Sequence, residues 1–266
     1  MNGTIIDRNN IHILGKGNIP MLFLHGYGCD QQMWRFVYPA FEDDYKVILM
    51  DHVGSGKSDL EAYDFEKYSS LNGYADDLLE IIEAFQLKET IIVAHSVSAM
   101  IALLAAAERP SLFSKLILLG PSPCYINKPP YHGGFSQDDI DELVSTLESN
   151  YLGWSSFITP VIIGDSNQKE YAEELKNSFC SMNPTIAKHF AKVTFLSDNR
   201  EDLKRVKTPA LIIQTNPDVI APVQVGQYVH QNLFGSTYVE IPTTGHCPHL
   251  TAPNEVIFSI KKYLTF

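Results

Sequence analysis

Three residues have the types and the chain order of a catalytic triad: Ser96, Asp218 and His246. Ser96 lies between an apolar run typical of a strand and an alanine-rich run typical of a helix. Asp218 and His246 each follow a later apolar run closely. In such a triad His246 removes the Ser96 proton and Asp218 fixes the imidazole tautomer, so that the serine attacks a carbonyl carbon.

The turn around Ser96 fits a nucleophile elbow, in which the serine is held in a strained conformation between a strand and a helix. The elbow needs small residues two positions before and after the serine, and these are usually glycines. Here Ala94 and Ser98 stand there, so the steric requirement can be met although the motif is weaker. Taken one at a time, these residues could also be a buried serine, a turn aspartate and a loop histidine that have no catalytic role. Their joint occurrence favours catalysis.

An oxyanion formed during such an attack needs preorganised hydrogen-bond donors. The loop His-Gly-Tyr-Gly at 25–28 follows the apolar run 21–24. We predict that the backbone amides of Tyr27 and Val97 form the oxyanion hole. A plain turn-forming glycine pair is the alternative for this loop.

Aromatic side chains are frequent in the region 121–199. We expect about half of them to hold helices together and the rest to roof an apolar pocket over Ser96. The residues predicted to line the pocket are Tyr27, Tyr125, Phe135, Trp154, Phe157, Phe195 and Val219.

The run His-Cys-Pro-His at 246–249 invites a metal interpretation. Pro248 makes the geometry awkward, however, and a further ligand would have to come from elsewhere in the chain. We therefore predict no metal and no other cofactor.

Composition narrows the classes of partner. The chain has 20 Lys and Arg against 31 Asp and Glu, a net charge of −11, and no basic run. This argues against nucleic acid and anionic membranes as partners. No segment has the pattern of a signal peptide or the roughly 18 apolar residues of a membrane span. With four sparse cysteines, we expect reduced thiols and a cytoplasmic location.

Short apolar runs alternate with helical patterns over most of the chain, which is typical of a largely parallel sheet flanked by helices. Asn9-Asn10 suits a tight hairpin between the first two runs, because asparagine tolerates positive φ. Helices are predicted at 71–85, 97–108, 222–233 and 253–263. The eight predicted strands are 4–8, 11–14, 21–24, 46–50, 90–94, 115–119, 210–214 and 237–241.

Strand patterns are missing between about 120 and 200. Three amphipathic helical stretches follow instead: one capped by Ser136, one marked by Tyr171 and Leu175, and one opened by Asn183. We predict a helical lid at 121–199 inserted into a single α/β core formed by 1–120 and 200–266.

The chain resembles one branch of the α/β-hydrolases: the bacterial stress regulators of the RsbQ type and the plant strigolactone and karrikin receptors. The resemblance covers essentially the whole chain, and Asn-Lys-Pro-Pro at 127–130 favours the bacterial member. Ala94 departs from the usual glycine, and Tyr27 from a frequent phenylalanine. The resemblance rests on the runs AHSVSAMI at 94–101, GPSPCY at 120–125, GHCPH at 245–249, DHVGSGKSDL at 51–60, YHGGF at 131–135, SDNREDL at 197–203 and DVIAP at 218–222.

This resemblance implies a four-helix lid over a deep apolar pocket, a working triad and slow hydrolysis of a small hydrophobic ester or lactone, such as a butenolide. For an RsbQ-like protein it also implies a PAS-domain phosphatase partner, RsbP-like, in stress signalling. A metabolic carboxylesterase or lactonase without a partner is one alternative. A receptor whose triad only positions its ligand is the other.

Overall fold

A seven-stranded sheet forms the centre of the computed structural model, which describes residues 2–164 and 167–265. The strand order is β1-β3-β2-β4-β5-β6-β7, with β1 antiparallel to β3 and the other neighbours parallel. The strands are β1 (His12–Leu14), β2 (Ile19–Leu24), β3 (Tyr45–Met50), β4 (Thr90–His95), β5 (Phe113–Leu119), β6 (Ala210–Thr215) and β7 (Thr237–Ile241).

Helices cover both faces of the sheet, because side chains of the central strands alternate between two apolar clusters. One cluster packs against the helices at 71–84 and 97–108 and against the inserted helices. The other packs against the helix at 253–264. Within the described residues, no helix is both long and apolar enough to cross a bilayer. The helices are α1 (Asn2–Arg8), α2 (Leu71–Ala84), α3 (Val97–Glu108), α4 (Gln137–Ser149), α5 (Tyr151–Ile163), α6 (Lys169–Ser181), α7 (Pro184–Phe195), α8 (Val223–Asn232), α9 (Pro248–Thr251) and α10 (Pro253–Leu264).

The predicted first strand and its hairpin are wrong, so the described sheet has seven strands and not eight. Residues 4–8 belong to α1, where Arg8 forms ion pairs with Asp77 and Glu80 of α2. Asn10 does have a positive φ of 44°, but it leads from α1 into β1. These contacts with α2 outweigh the local preference of Thr and Ile for strands. The other seven predicted strands are confirmed.

Four helices, α4 to α7, lie in sequence between β5 and β6, and we call them the lid. The amphipathic stretches predict α4, α6 and α7, and Ser136 caps α4 through a reciprocal hydrogen bond with Asp139. Helix α5 has no such signal in the sequence, because apolar residues surround it on nearly all sides and Pro160 lies inside it. Only the family resemblance predicts a fourth helix in the lid.

Helix α3 carries the candidate nucleophile at its N-terminus and lies between α2 and the sheet. Its alanines let its backbone approach these neighbours closely, and Ala99, Ala102, Ala105 and Ala106 are fully buried. The density of this packing fixes the position at which β4 turns into α3.

Substitution of Ala102 by leucine tests this close packing. Ala102 is completely buried, so the larger side chain must displace its neighbours, and we expect Ala102→Leu to lower the free energy of unfolding by about 1–3 kcal/mol. Urea denaturation measures this change. Ala107→Leu is the matched control, because Ala107 is only partly buried on the same helix. Equal effects of the two substitutions would contradict the packing argument.

Candidate active site

The chain reverses sharply at Ser96, between β4 and α3. Ser96 has φ 58° and ψ −124°, a conformation that non-glycine residues rarely adopt. Its amide donates a hydrogen bond to the carbonyl of Leu119 at the end of β5, at 2.9 Å. Ala94 and Ser98 are both completely buried in the turn. The turn therefore has the geometry of a nucleophile elbow, with small side chains at the two predicted positions.

Ser96, His246 and Asp218 form one continuous chain of hydrogen bonds. The Ser96 Oγ atom lies 2.8 Å from His246 Nε2, and His246 Nδ1 lies 2.6 Å from Asp218 Oδ2. The second oxygen, Asp218 Oδ1, accepts the amides of Ile220 and Ala221 at 2.8 and 3.0 Å. All three side chains are buried. The geometry is that of a serine activated by a histidine that a carboxylate orients.

Two glycines leave room for the His246 imidazole and its loop. A Cβ atom at Gly120 would lie 2.9 Å from His246 Cε1, and one at Gly245 would lie 2.0 Å from the carbonyl oxygen of Ile163. Both glycines have positive φ. The histidine can therefore reach Ser96 only because these two positions lack side chains.

The loop 25–28 passes close to Ser96, as the predicted oxyanion hole requires. A Cβ atom at Gly26 would lie 3.3 Å from Ser96 Cβ. Val97 is the first residue of α3, so its amide has no carbonyl partner four residues earlier in the helix. The amides of Tyr27 and Val97 remain our candidates for the oxyanion hole.

Ser98 holds this loop against the elbow, a role that its small size alone did not reveal. Its hydroxyl donates to the carbonyl of His25 at 2.5 Å and accepts from His52 Nε2 at 2.6 Å. The His52 amide in turn donates to His25 Nε2 at 3.1 Å. Burial lowers the pKa of His52 well below its usual value, so this imidazole is neutral at ordinary pH.

The lid also holds the loop 25–28 from above. The Tyr27 hydroxyl donates to the carbonyl of Ala187 in α7, and Ser178 in α6 donates to the carbonyl of Gly28 at 2.7 Å. The Tyr27 hydroxyl therefore holds the lid in place. A second lid contact reaches the triad, since the amide of His246 donates to the carbonyl of Ile162 in α5 at 2.7 Å.

A small cavity of about 40 Å³ lies between Ser96 and the lid. This volume has room for a few water molecules, since one needs roughly 10–15 Å³ of such space. A larger groove of about 700 Å³ lies between β7 and α10, but no triad residue lines it. The described structure is therefore a closed form, and a ligand must displace lid side chains to reach Ser96.

Four of the predicted pocket residues line this cavity: Tyr27, Tyr125, Trp154 and Phe195. Burial raises the pKa of Tyr125 to about 12, so this hydroxyl stays protonated beside Ser96. Prediction from sequence missed all of the aliphatic and thiol lining, although Leu143 and Leu175 lie on helices that it recognised as amphipathic. The lining residues that were not predicted are Cys29, His95, Leu143, Ile158, Ile162, Leu175, Phe179, Thr194, Ile220 and Cys247.

Three residues predicted to line the pocket do not line this cavity. Phe157 is 72% exposed, because the inward face of α5 is formed by Trp154, Ile158 and Ile162. Val219 is half exposed, and its neighbour Ile220 lines the cavity instead. Phe135 is only partly buried and pairs through its backbone with Tyr125 outside the cavity. Aromatic character alone does not show which side of a helix or loop faces inward.

The fold and this site define a class of protein. Residues 19–253 match the model of the alpha/beta hydrolase fold family. Because the match covers most of the chain, the protein belongs to the α/β-hydrolase family.

Within this family the chain is similar to plant receptors and to a bacterial hydrolase. It is 41% identical to the karrikin insensitive 2 receptor CA of Petunia hybrida, with 96% of this chain and 95% of the receptor aligned. It is 36% identical to the strigolactone esterase D14 of Arabidopsis thaliana, over 98% and 97% of the two chains. A solved hydrolase from Oleispira antarctica shares 43% identity with a TM-score of 0.96, over 98% and 96%.

The hydrogen bonds of Ser98 can be tested by truncation. Ser98→Ala leaves the carbonyl of His25 and the ring N–H of His52 without their buried partner, so we expect a loss of about 2 kcal/mol in the free energy of unfolding. Urea denaturation measures it. Ser259→Ala is the control, because the Ser259 hydroxyl only bonds to a carbonyl within its own helix, α10. A loss no larger than that of the control would show that Ser98 does not hold the loop.

Proposed function

We propose that this protein is a serine hydrolase that binds a small hydrophobic ester or lactone beneath the lid and cleaves it slowly. The observation that carries the proposal is the chain of hydrogen bonds from Asp218 through His246 to Ser96, which ends in an apolar cavity. A polymer could not enter this closed site. A compact ligand with a carbonyl group matches both the nucleophile and the lining.

The reaction follows from the positions of the atoms. As Ser96 Oγ forms a bond to the carbonyl carbon, its proton passes to His246 Nε2, and Asp218 stabilises the resulting imidazolium. The amides of Tyr27 and Val97 stabilise the negative charge on the carbonyl oxygen. His246 then protonates the leaving alkoxide, and a water molecule activated by the same histidine releases the acid from Ser96.

Slow turnover fits the closed cavity and the contacts of the lid. The ligand must enlarge a space of about 40 Å³ while Tyr27 and Ser178 hold the loop 25–28 to α7 and α6. Lid opening and product release therefore limit the rate in this proposal, as they do in many enzymes with mobile covers.

We further infer that the protein acts in stress signalling as an RsbQ-like sensor, with a PAS-domain phosphatase as its partner. This part rests on the resemblance of the sequence to that branch and on the similarity to plant receptors. The lid offers a surface for such a partner, since α5 exposes Phe157 and Val161 one turn apart. The free thiols of its cysteines support a cytoplasmic location.

Two other functions use the same site. A metabolic carboxylesterase or lactonase would turn over many aryl esters rapidly and would need no partner. A receptor that only binds its ligand would keep its response when Ser96 is replaced. Turnover rate and the behaviour of Ser96→Ala therefore separate the three functions.

The central experiment compares the protein with its Ser96→Ala variant on p-nitrophenyl acetate and on a small butenolide. We expect slow release of product that falls about a thousandfold or more in Ser96→Ala, because the nucleophile is removed while the fold remains. Intact-protein mass spectrometry should detect an acyl adduct on the protein and none on the variant. Rapid turnover would instead support a metabolic esterase.

Ser156→Ala is the matched control for this experiment, since Ser156 is an exposed hydroxyl on α5. It should retain full activity. Equal rates for the protein and Ser96→Ala would refute the hydrolytic mechanism. Purified PAS-domain phosphatase, assayed with and without the protein and ligand, tests the signalling role separately.

A further inference from the structure

A second cluster of reactive side chains lies immediately beside the triad. His95, Cys247 and His249 are 1–2% exposed, and one potential metal-binding atom from each lies within 4.8 Å of the other two. His95 belongs to β4, while Cys247 and His249 follow the triad histidine in sequence. The structure therefore supplies from β4 the further ligand that the run 246–249 lacked, and His246 itself is not part of the cluster.

The imidazole nitrogens of this cluster have unusual surroundings for buried polar atoms. His95 Nδ1 and both ring nitrogens of His249 are buried and have no hydrogen-bond partner among residues 2–164 and 167–265. Most buried side-chain nitrogens in proteins have such a partner, because leaving one unsatisfied costs free energy. A ligand bound between the two rings and the Cys247 thiol would satisfy such nitrogens.

The protonation of His95 suits a metal ligand. His95 Nε2 lies 2.7 Å from the carbonyl oxygen of His246 and must carry the hydrogen that it donates. The lone pair of the neutral ring is therefore on Nδ1, the unsatisfied atom. Histidines that bind metals usually have this arrangement, in which the other nitrogen donates to a carbonyl or carboxylate and fixes the ring.

Packing holds the second imidazole in place. The His249 ring lies 4.7 Å from Trp34 and 4.4 Å from His95, measured between ring centroids. His95 and Cys247 also line the cavity beside Ser96, so an ion that enters the cavity reaches both. The cluster is thus buried but adjacent to the space that the ligand uses.

We propose that His95, Cys247 and His249 bind a thiophilic metal ion of the Zn²⁺ type. Binding forms one metal–sulfur and two metal–nitrogen bonds, the Cys247 thiol releases its proton to solvent, and a water molecule completes the coordination. Bonds of about 2.0–2.3 Å place donor atoms roughly 3.5 Å apart, so the side chains close by about an ångström.

The experiment adds Zn²⁺ and Cd²⁺ to the protein after treatment with a chelator. Equilibrium dialysis measures Zn²⁺ bound, and the ultraviolet charge-transfer absorption of Cd²⁺ reports a metal–thiolate bond. We expect one ion per chain and a Kd at least tenfold higher in Cys247→Ala and in His249→Phe. The phenylalanine keeps an aromatic ring against Trp34, so this variant tests the site even if Cys247→Ala fails to fold.

Cys180→Ser is the matched control, since Cys180 is exposed and its thiol can bind metals adventitiously. The proposal predicts unchanged binding in this variant. Loss of binding in Cys180→Ser, retention in both cluster variants, or absence of the Cd²⁺ absorption would overturn it. These readouts do not involve hydrolysis, so failure of the metal site and failure of the proposed enzyme activity are distinguishable.

Discussion

The turn at Ser96 constrains more of this structure than any other local feature. A serine with positive φ stores strain of about 1–3 kcal/mol, and neighbouring packing and hydrogen bonds must hold it there. Ala94 and Ser98 fit inside the turn, the amide of Ser96 bonds to the end of β5, and the alanines of α3 allow close approach to the sheet. The sheet and α3 thus aim the hydroxyl at His246.

Buried histidines are unusually frequent around the turn at Ser96. His25, His52, His95, His246 and His249 are all buried within one region of the fold. Burial lowers the pKa of His95 well below its usual value, and that of His249 to about 3. The imidazoles of His95 and His249 are therefore neutral at ordinary pH.

The sequence was sufficient for the features that depend on local pattern and chain order. Apolar runs located seven strands, and the order of Ser96, Asp218 and His246 placed these residues at three strand ends that the structure brings together. The family resemblance supplied the fourth lid helix, α5, which has no amphipathic signal of its own.

Features that depend on tertiary contact were out of reach. Residues 4–8 form a helix because Arg8 finds Asp77 and Glu80 on α2, a pairing that no local pattern reveals. Phe157 faces solvent because of the rotation of α5 on the core, which its uniformly apolar sequence leaves undetermined. The hydrogen bonds of Ser98 could not be predicted without knowing that the loop 25–28 crosses the turn at Ser96.

The contact between Ile162 and His246 affects how lids can be exchanged among members of this family. A carbonyl of α5 receives the amide of the triad histidine, and Asn167, just beyond that helix, donates to the carbonyl of Thr244. The lid therefore helps to position His246. A lid grafted from another hydrolase would also replace the backbone contact that holds His246. Successful chimeras must therefore preserve this contact as well as the pocket lining.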